Sequence, residues 1–160
     1  MSEQRLEFEL ADEVGTAALG RALAATLPTR AVVGLNGPLG AGKTRLVQAV
    51  AEASGVNRRD VTSPTFVLVQ EYHGARTIYH ADAYRLADDD EFWQLGLDER
   101  FDEPALVFIE WADRVAGCLP ADRFDIRLTP LAGDGRRVDV LAHGDRFASV
   151  LKRLRELFAS

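Results

Sequence analysis

The chain has 160 residues, 47% of them hydrophobic, with 25 acidic against 19 basic side chains and a formal net charge of -6. A single core at this length buries roughly two thirds of the surface that the unfolded chain exposes, so one domain over residues 1–160 is expected to stand without disulfides or a structural metal. The lone Cys118 excludes an internal bridge and fits a reducing compartment. The longest apolar stretches, such as residues 105–109, fall far short of the roughly 20 residues that a bilayer span needs. Residues 1–9 carry three glutamates and no basic-then-apolar leader, so a cytoplasmic protein without a membrane partner is expected.

In chain order, residues 5–10 alternate polar and apolar as a half-buried strand does. Asp12 then offers a cap to a helix whose apolar positions recur at helical spacing as far as Pro28. Residues 31–35 form a continuous apolar run typical of a strand covered on both faces, and a glycine-rich turn follows. A second helix is expected from Lys43 to near Gly55. Residues 62–64 mark a loop, with strands expected over 66–72 and 77–81 around a turn at His73 and Gly74. Phe92, Trp93 and Leu95 are expected to face inward from a short helix. Another buried strand is expected over 105–109, and a short helix from Glu110 to Gly117. A final strand pair, 124–129 and 137–142, precedes an amphipathic C-terminal helix. This alternation predicts an α/β fold, a three-layer sandwich with a mostly parallel central sheet and an antiparallel strand pair near the C-terminus.

The acidity is local. Residues 88–103 hold eight acids and one base, a balance of -7, so the remainder of the chain is slightly basic. A solvated surface is the plain reading of such a segment, and a docking face for a basic partner is the sharper one. The overall sign gives no support to direct binding of DNA or RNA; the local pairs Arg58 with Arg59 and Arg136 with Arg137 are the places that could touch phosphate.

Residues 37–44, Gly-Pro-Leu-Gly-Ala-Gly-Lys-Thr, match G-x-x-x-x-G-K-[ST] at every fixed position, between a buried strand and a helix. There, backbone N–H groups and the positive helix end meet anionic oxygens. The chain has only two lysines among its 19 basic residues, yet one of them is Lys43. An ammonium fits a concave loop and bridges phosphate oxygens where a wide, planar guanidinium does not. Gly37, Gly40, Ala41, Gly42, Lys43, Thr44 and Arg45 are therefore the expected nucleotide contacts, Arg45 through its backbone, and Thr44 is expected to offer its hydroxyl to magnesium. Hydrolysis needs a carboxylate at the end of a neighbouring strand. Residues 105–110 deliver Glu110 there, and residues 77–82 deliver Asp82. A helix-cap role for Glu110 and a salt bridge between Asp82 and Arg85 are the competing structural readings. Residues 57–60, Asn-Arg-Arg-Asp, lie too early to serve as a guanine reader, which favours ATP, and Trp111 is a candidate to stack on its purine.

Taken together, residues 36–44, 62–66 (Thr-Ser-Pro-Thr-Phe), 79–86 (Tyr-His-Ala-Asp-Ala-Tyr-Arg-Leu) and 109–113 (Ile-Glu-Trp-Ala-Asp) resemble the TsaE (YjeE) family over nearly the whole chain. The resemblance implies a P-loop ATPase of modest intrinsic activity that acts with the TsaD and TsaB proteins in making threonylcarbamoyladenosine in tRNA, meeting the tRNA only through that complex. It further implies that Thr44 and Glu110 hold magnesium, that Trp111 lies near the adenine and that Asp82 arranges metal or water beside the catalytic Lys43 and Glu110. Ser63, Pro64 and Thr65 would form a switch-like loop. Two other classes stay open: a nucleotide-gated binding module with little hydrolysis of its own, and a small-molecule kinase.

Overall fold

A computed structural model describes residues 3–57, 60 and 68–159. It contains one seven-stranded sheet in the order β1-β7-β6-β2-β5-β4-β3. The strands are β1 (Glu3–Leu10), β2 (Ala31–Asn36), β3 (Val69–His73), β4 (Thr77–Asp82), β5 (Ala105–Glu110), β6 (Arg123–Pro130) and β7 (Arg136–His143). The α-helices among the described residues are α1 (Glu13–Thr26), α2 (Lys43–Ala53), α3 (Asp89–Gln94) and α4 (Ala148–Phe158). β2 runs parallel to both β5 and β6, and β4 runs parallel to β5. The outer pairs β3/β4, β6/β7 and β1/β7 are antiparallel. The expected three-layer sandwich, with its parallel centre and a C-terminal antiparallel pair, is the architecture found; the first strand joins that pair at the sheet edge.

The apolar runs explain the centre. Every residue of β2 and of β5 is buried, as strands with cover on both faces must be. One face packs against α1, α2 and α4 through Leu23, Val33, Leu46, Phe108, Phe124 and Leu154. The other is covered by α3 and the neighbouring 3-10 turns through Val107, Ile109, Phe92, Leu97 and Val115. Asp12 caps α1, its carboxylate accepting from the amides of Val14 and Gly15 at 3.0 and 3.3 Å. Gly20 lets α1 approach α2 closely, because a Cβ there would come within 2.8 Å of the Ala49 backbone.

Three details depart from the sequence expectations. The stretch after Glu110 is a 3-10 segment, Ala112–Cys118, broken by a non-helical Val115, where a helix to Gly117 was expected. Of the three side chains expected to face inward from α3, Phe92 is buried and Trp93 is 45% exposed; consecutive positions on a helix point about 100° apart, so the residue after a buried one swings away from the core. Leu95 is half-buried and follows the helix as its C-cap. Third, β3 runs through His73, so the reversal falls at Gly74, whose amide donates to the Arg76 carbonyl at 3.2 Å. Residues 66–67 of the expected strand, the loop containing Ser63, Pro64 and Thr65, and the pair Arg58 and Arg59 lie outside the described residues.

Part of the acidic segment serves its own helix. Asp88 accepts from the Glu91 amide at 3.0 Å while Glu91 accepts from the Ala87 amide at 3.1 Å, which satisfies N-terminal donors of α3 from both sides.

Candidate nucleotide site

The glycine-rich turn leaves the C-terminal end of β2 and enters α2 through Gly42, which caps the helix at φ 102° and brings no side-chain acceptor to its first amides. Those donors are left for an anion. Gly37 sits at φ 142°, and a Cβ there would run into the Leu128 carbonyl of β6. Both positions need glycine, one for its backbone angle and the other for close approach as well. Arg136, from β7, fastens the turn from outside: its Nε donates to the Ala41 carbonyl at 2.8 Å and its Nη2 to the Gly40 carbonyl at 3.4 Å.

A cleft of about 390 Å³ opens over the turn. Its floor is Gly40, Gly42, Lys43, Thr44 and Arg45; Asp82 and Glu110 stand on one side, and Glu13, Thr16, Asp134 and Arg136 line the rest. The volume lies within the range of small-molecule sites. The register pairs Asp82 with Glu110 at the adjacent C-terminal ends of β4 and β5, where open α/β sheets bind ligands.

The side chains in the cleft are mutually engaged. Thr44 Oγ1 donates to Glu110 Oε2 at 2.7 Å across 66 residues of sequence. The same carboxylate oxygen accepts from His80 Nε2 at 2.5 Å. Lys43 is 4% exposed, and its ammonium donates to the carbonyls of Gly37 and Pro38 at 2.6 and 3.0 Å. The ammonium also lies 4.2 Å from the centre of the Trp111 ring, within cation–π range. Arg45 turns its guanidinium back along α2, 3.9 Å from Glu52, leaving its backbone toward the cleft. Asp82 Oδ1 accepts from the Tyr84 amide at 2.9 Å.

Burial and charge push the two carboxylates apart. Burial lifts the Asp82 carboxyl above the usual carboxylate range, and the nearby Glu110 charge adds to the rise, against the opposing pull of the Tyr84 amide, His80 and Lys43. Burial also pushes Glu110 upward, but the hydrogen bonds from His80 and Thr44 and the Lys43 charge outweigh it, so Glu110 ionises more readily than an ordinary glutamate. Burial lowers the Lys43 pKa, partly offset by the negative charges of Glu110 and Asp82.

The expected residues at the loop and strand ends, Gly37, Gly40, Ala41, Gly42, Lys43, Thr44, Arg45, Asp82 and Glu110, are thus brought together. Trp111, expected beside a purine, is half-buried against Lys43. It takes the left-handed conformation at φ 59° and its amide donates to the Leu35 carbonyl at 2.8 Å. That turn swings the indole onto Lys43 and to 4.9 Å from the Tyr84 ring, at the lysine end of the loop. His80 has no assigned role in the sequence, and Arg136, read there as a residue that could touch phosphate, bonds the Ala41 and Gly40 carbonyls of the turn. Strand alternation held a signal for His80, since it shares a face with Asp82 two residues on; Arg136 is joined to the turn only by tertiary structure.

The donors suit magnesium. A hydroxyl and an anionic carboxylate, held 2.7 Å apart beside a phosphate-binding turn, are the hard oxygen ligands of an ion that is commonly held by one or two carboxylates together with substrate phosphates.

Comparison with known proteins identifies a family. The family model for threonylcarbamoyl adenosine biosynthesis protein TsaE matches residues 10–138. The tRNA threonylcarbamoyladenosine biosynthesis protein TsaE of Bacillus subtilis is 34% identical over 152 residues, 94% of each chain. The protein of the same name from Treponema pallidum is 40% identical over 125 residues, 78% of this chain and 92% of the relative. The crystal structure of Bacillus subtilis YdiB superposes with a TM-score of 0.80 at 29% identity, covering 98% of both chains. On the extent of these matches, the chain belongs to the TsaE family of threonylcarbamoyl adenosine biosynthesis proteins.

Proposed function

We propose that this chain, working as one domain, binds magnesium ATP and hydrolyses it in concert with the TsaD and TsaB proteins during threonylcarbamoyl modification of tRNA adenosine, in the cytoplasm. Family membership supports the pathway. The observation that carries the chemistry is the Thr44 to Glu110 hydrogen bond, 2.7 Å, which joins the last residue of the phosphate-binding turn to a carboxylate at the end of β5. Together with the buried Lys43 it supplies the parts that phosphoryl transfer to water requires: a cation for the phosphates, a place for the metal and a nearby second carboxylate.

In this reading the backbone amides of residues 40–45 cradle the phosphates. Lys43 exchanges the carbonyls of Gly37 and Pro38 for phosphate oxygens, and the Trp111 face steadies its ammonium from behind. Thr44 and Glu110 would hold magnesium, which when bound neutralises charge on the transferring phosphoryl group. Asp82, opposite Glu110 at the end of β4, orients the attacking water. The tRNA is met only through the partner complex.

The test is the ATP hydrolysis rate of the chain alone and with its own TsaD and TsaB added. Strong stimulation by the pair is expected. Tight ATP binding with no hydrolysis in either condition would overturn the enzymatic reading in favour of a nucleotide-gated binding module.

A further inference from the structure

His80 takes no direct part in the chemistry above. It lies on β4, between β5 and the edge strand β3, is entirely buried, and is not part of the cleft lining. Its Nε2 donates to Glu110 Oε2 at 2.5 Å, while its Nδ1 is buried with no hydrogen-bond partner among the described residues. An imidazole with one nitrogen stranded is a poor choice for packing, since an apolar side chain of similar size would fill the space without that desolvation cost. What the imidazole supplies is the other nitrogen. A carboxylate only accepts, so Nε2 carries the hydrogen of that bond. The acceptor oxygen is also the one that takes the Thr44 hydroxyl, so donors from β4 and α2 converge on one atom of a side chain from β5.

We propose that His80 is a positioning residue that holds the Glu110 carboxylate against Thr44, so that the oxygen pair for the magnesium ion stands formed before nucleotide arrives. The inference rests on the magnesium ATP reading of the cleft. His80 supports Glu110 from inside the sheet, as hydrogen-bond partners behind a metal's direct ligands do, and losing such a partner typically costs about 10- to 100-fold in metal affinity.

The experiment measures ATP affinity by calorimetry, with magnesium and with EDTA, for the full chain and its variants. The wild-type chain is expected to gain affinity from magnesium. His80→Leu should leave the EDTA affinity within about twofold and cut the magnesium gain about tenfold or more. His80→Gln, whose amide N–H reaches about as far as Nε2, should restore most of it. A full magnesium gain in a folded His80→Leu protein overturns the proposal, and so does a His80→Gln protein as impaired as His80→Leu, because the role would then be shape alone. Should His80→Leu fail to fold, His80→Gln is compared with His80→Asn, whose amide is too short to reach Glu110; equal magnesium gains in those two overturn the proposal. A wild-type chain that binds no ATP, or binds it equally well without magnesium, removes the underlying ATPase reading, whatever the variants do.

Discussion

The two halves of the sheet are built by different rules. In the parallel half, β2 and β5 are buried along their whole length, and their C-terminal ends, with that of β4, carry the turn, Glu110 and Asp82. In the antiparallel half, β6 and β7 alternate. Phe124, Ile126 and Leu128 face the core, while Arg123, Asp125 and Arg127 form an outer polar face with Asp139 and His143. Only one face there is covered by helices. The first half places reacting groups, and the second props them: Arg136 holds the carbonyls of Gly40 and Ala41, and the Leu128 carbonyl lies where a Cβ on Gly37 would have to go. Strands covered on both faces can hold a side chain such as His80 or Glu110 out of water. Half-covered strands lend support through long polar side chains.

That division can be broken by substitution. The largest effect is expected for Lys43→Ala, which removes the only side-chain cation in the floor of the turn apart from the turned-away Arg45. ATP affinity or turnover should fall by about 100-fold or more, in a protein that still unfolds in one cooperative thermal transition, since the ammonium bonds loop carbonyls at the cleft. An unchanged hydrolysis rate would remove the reaction assigned to the parallel half.

A smaller loss is expected for Arg136→Ala, about five- to tenfold in ATP affinity, from two hydrogen bonds to the turn. Arg136→Lys should recover little, since an ammonium lacks the fork that reaches both carbonyls. An Arg136→Ala defect as deep as that of Lys43→Ala would mean that the antiparallel half takes part directly in binding.

The last effect is one of stability, confined to alkaline pH, and concerns Cys118 in the 3-10 cover of the parallel half. Burial, helped by the nearby Asp89 carboxylate, raises its thiol from 9.0 to about 11. Between those values the unfolded chain loses the thiol proton and the folded chain keeps it, so stability falls as pH rises through the window and levels off above about 11. Urea midpoints measured from pH 8 to 11 should decline more steeply for the parent than for Cys118→Ala. Identical slopes would contradict the thiol's burial.

Much of the parallel half is readable from residue order because its signals are contiguous. The turn occupies residues 37–44, and Glu110 and Asp82 each close a short apolar run. What escapes is whatever depends on packing between distant segments. The meeting of His80 with Glu110 spans 30 residues, and that of Arg136 with Ala41 spans 95. The position of Trp111 is likewise set by the left-handed turn that ties its amide to Leu35. Trp93 read as core because hydrophobicity reports what a residue prefers, whereas its angle around α3, about 100° from the buried Phe92, decides which way it points.

The place of β1 at the sheet edge has a consequence for how the chain is made. Its sole neighbour is β7, with Leu10 opposite Arg136. During synthesis at about 5–20 residues per second, β1 therefore waits on the order of 6–25 s after leaving the ribosome before its pairing partner exists. Throughout that interval Leu6, Phe8 and Leu10, all buried in the finished fold, have no strand to join. The parallel centre can assemble earlier, because β2, β4 and β5 are complete once Glu110 is added. The β1 edge of the sheet is thus the last to close, and a nascent chain stalled before Arg136 would expose the apolar side of an amphipathic strand to chaperones and proteases.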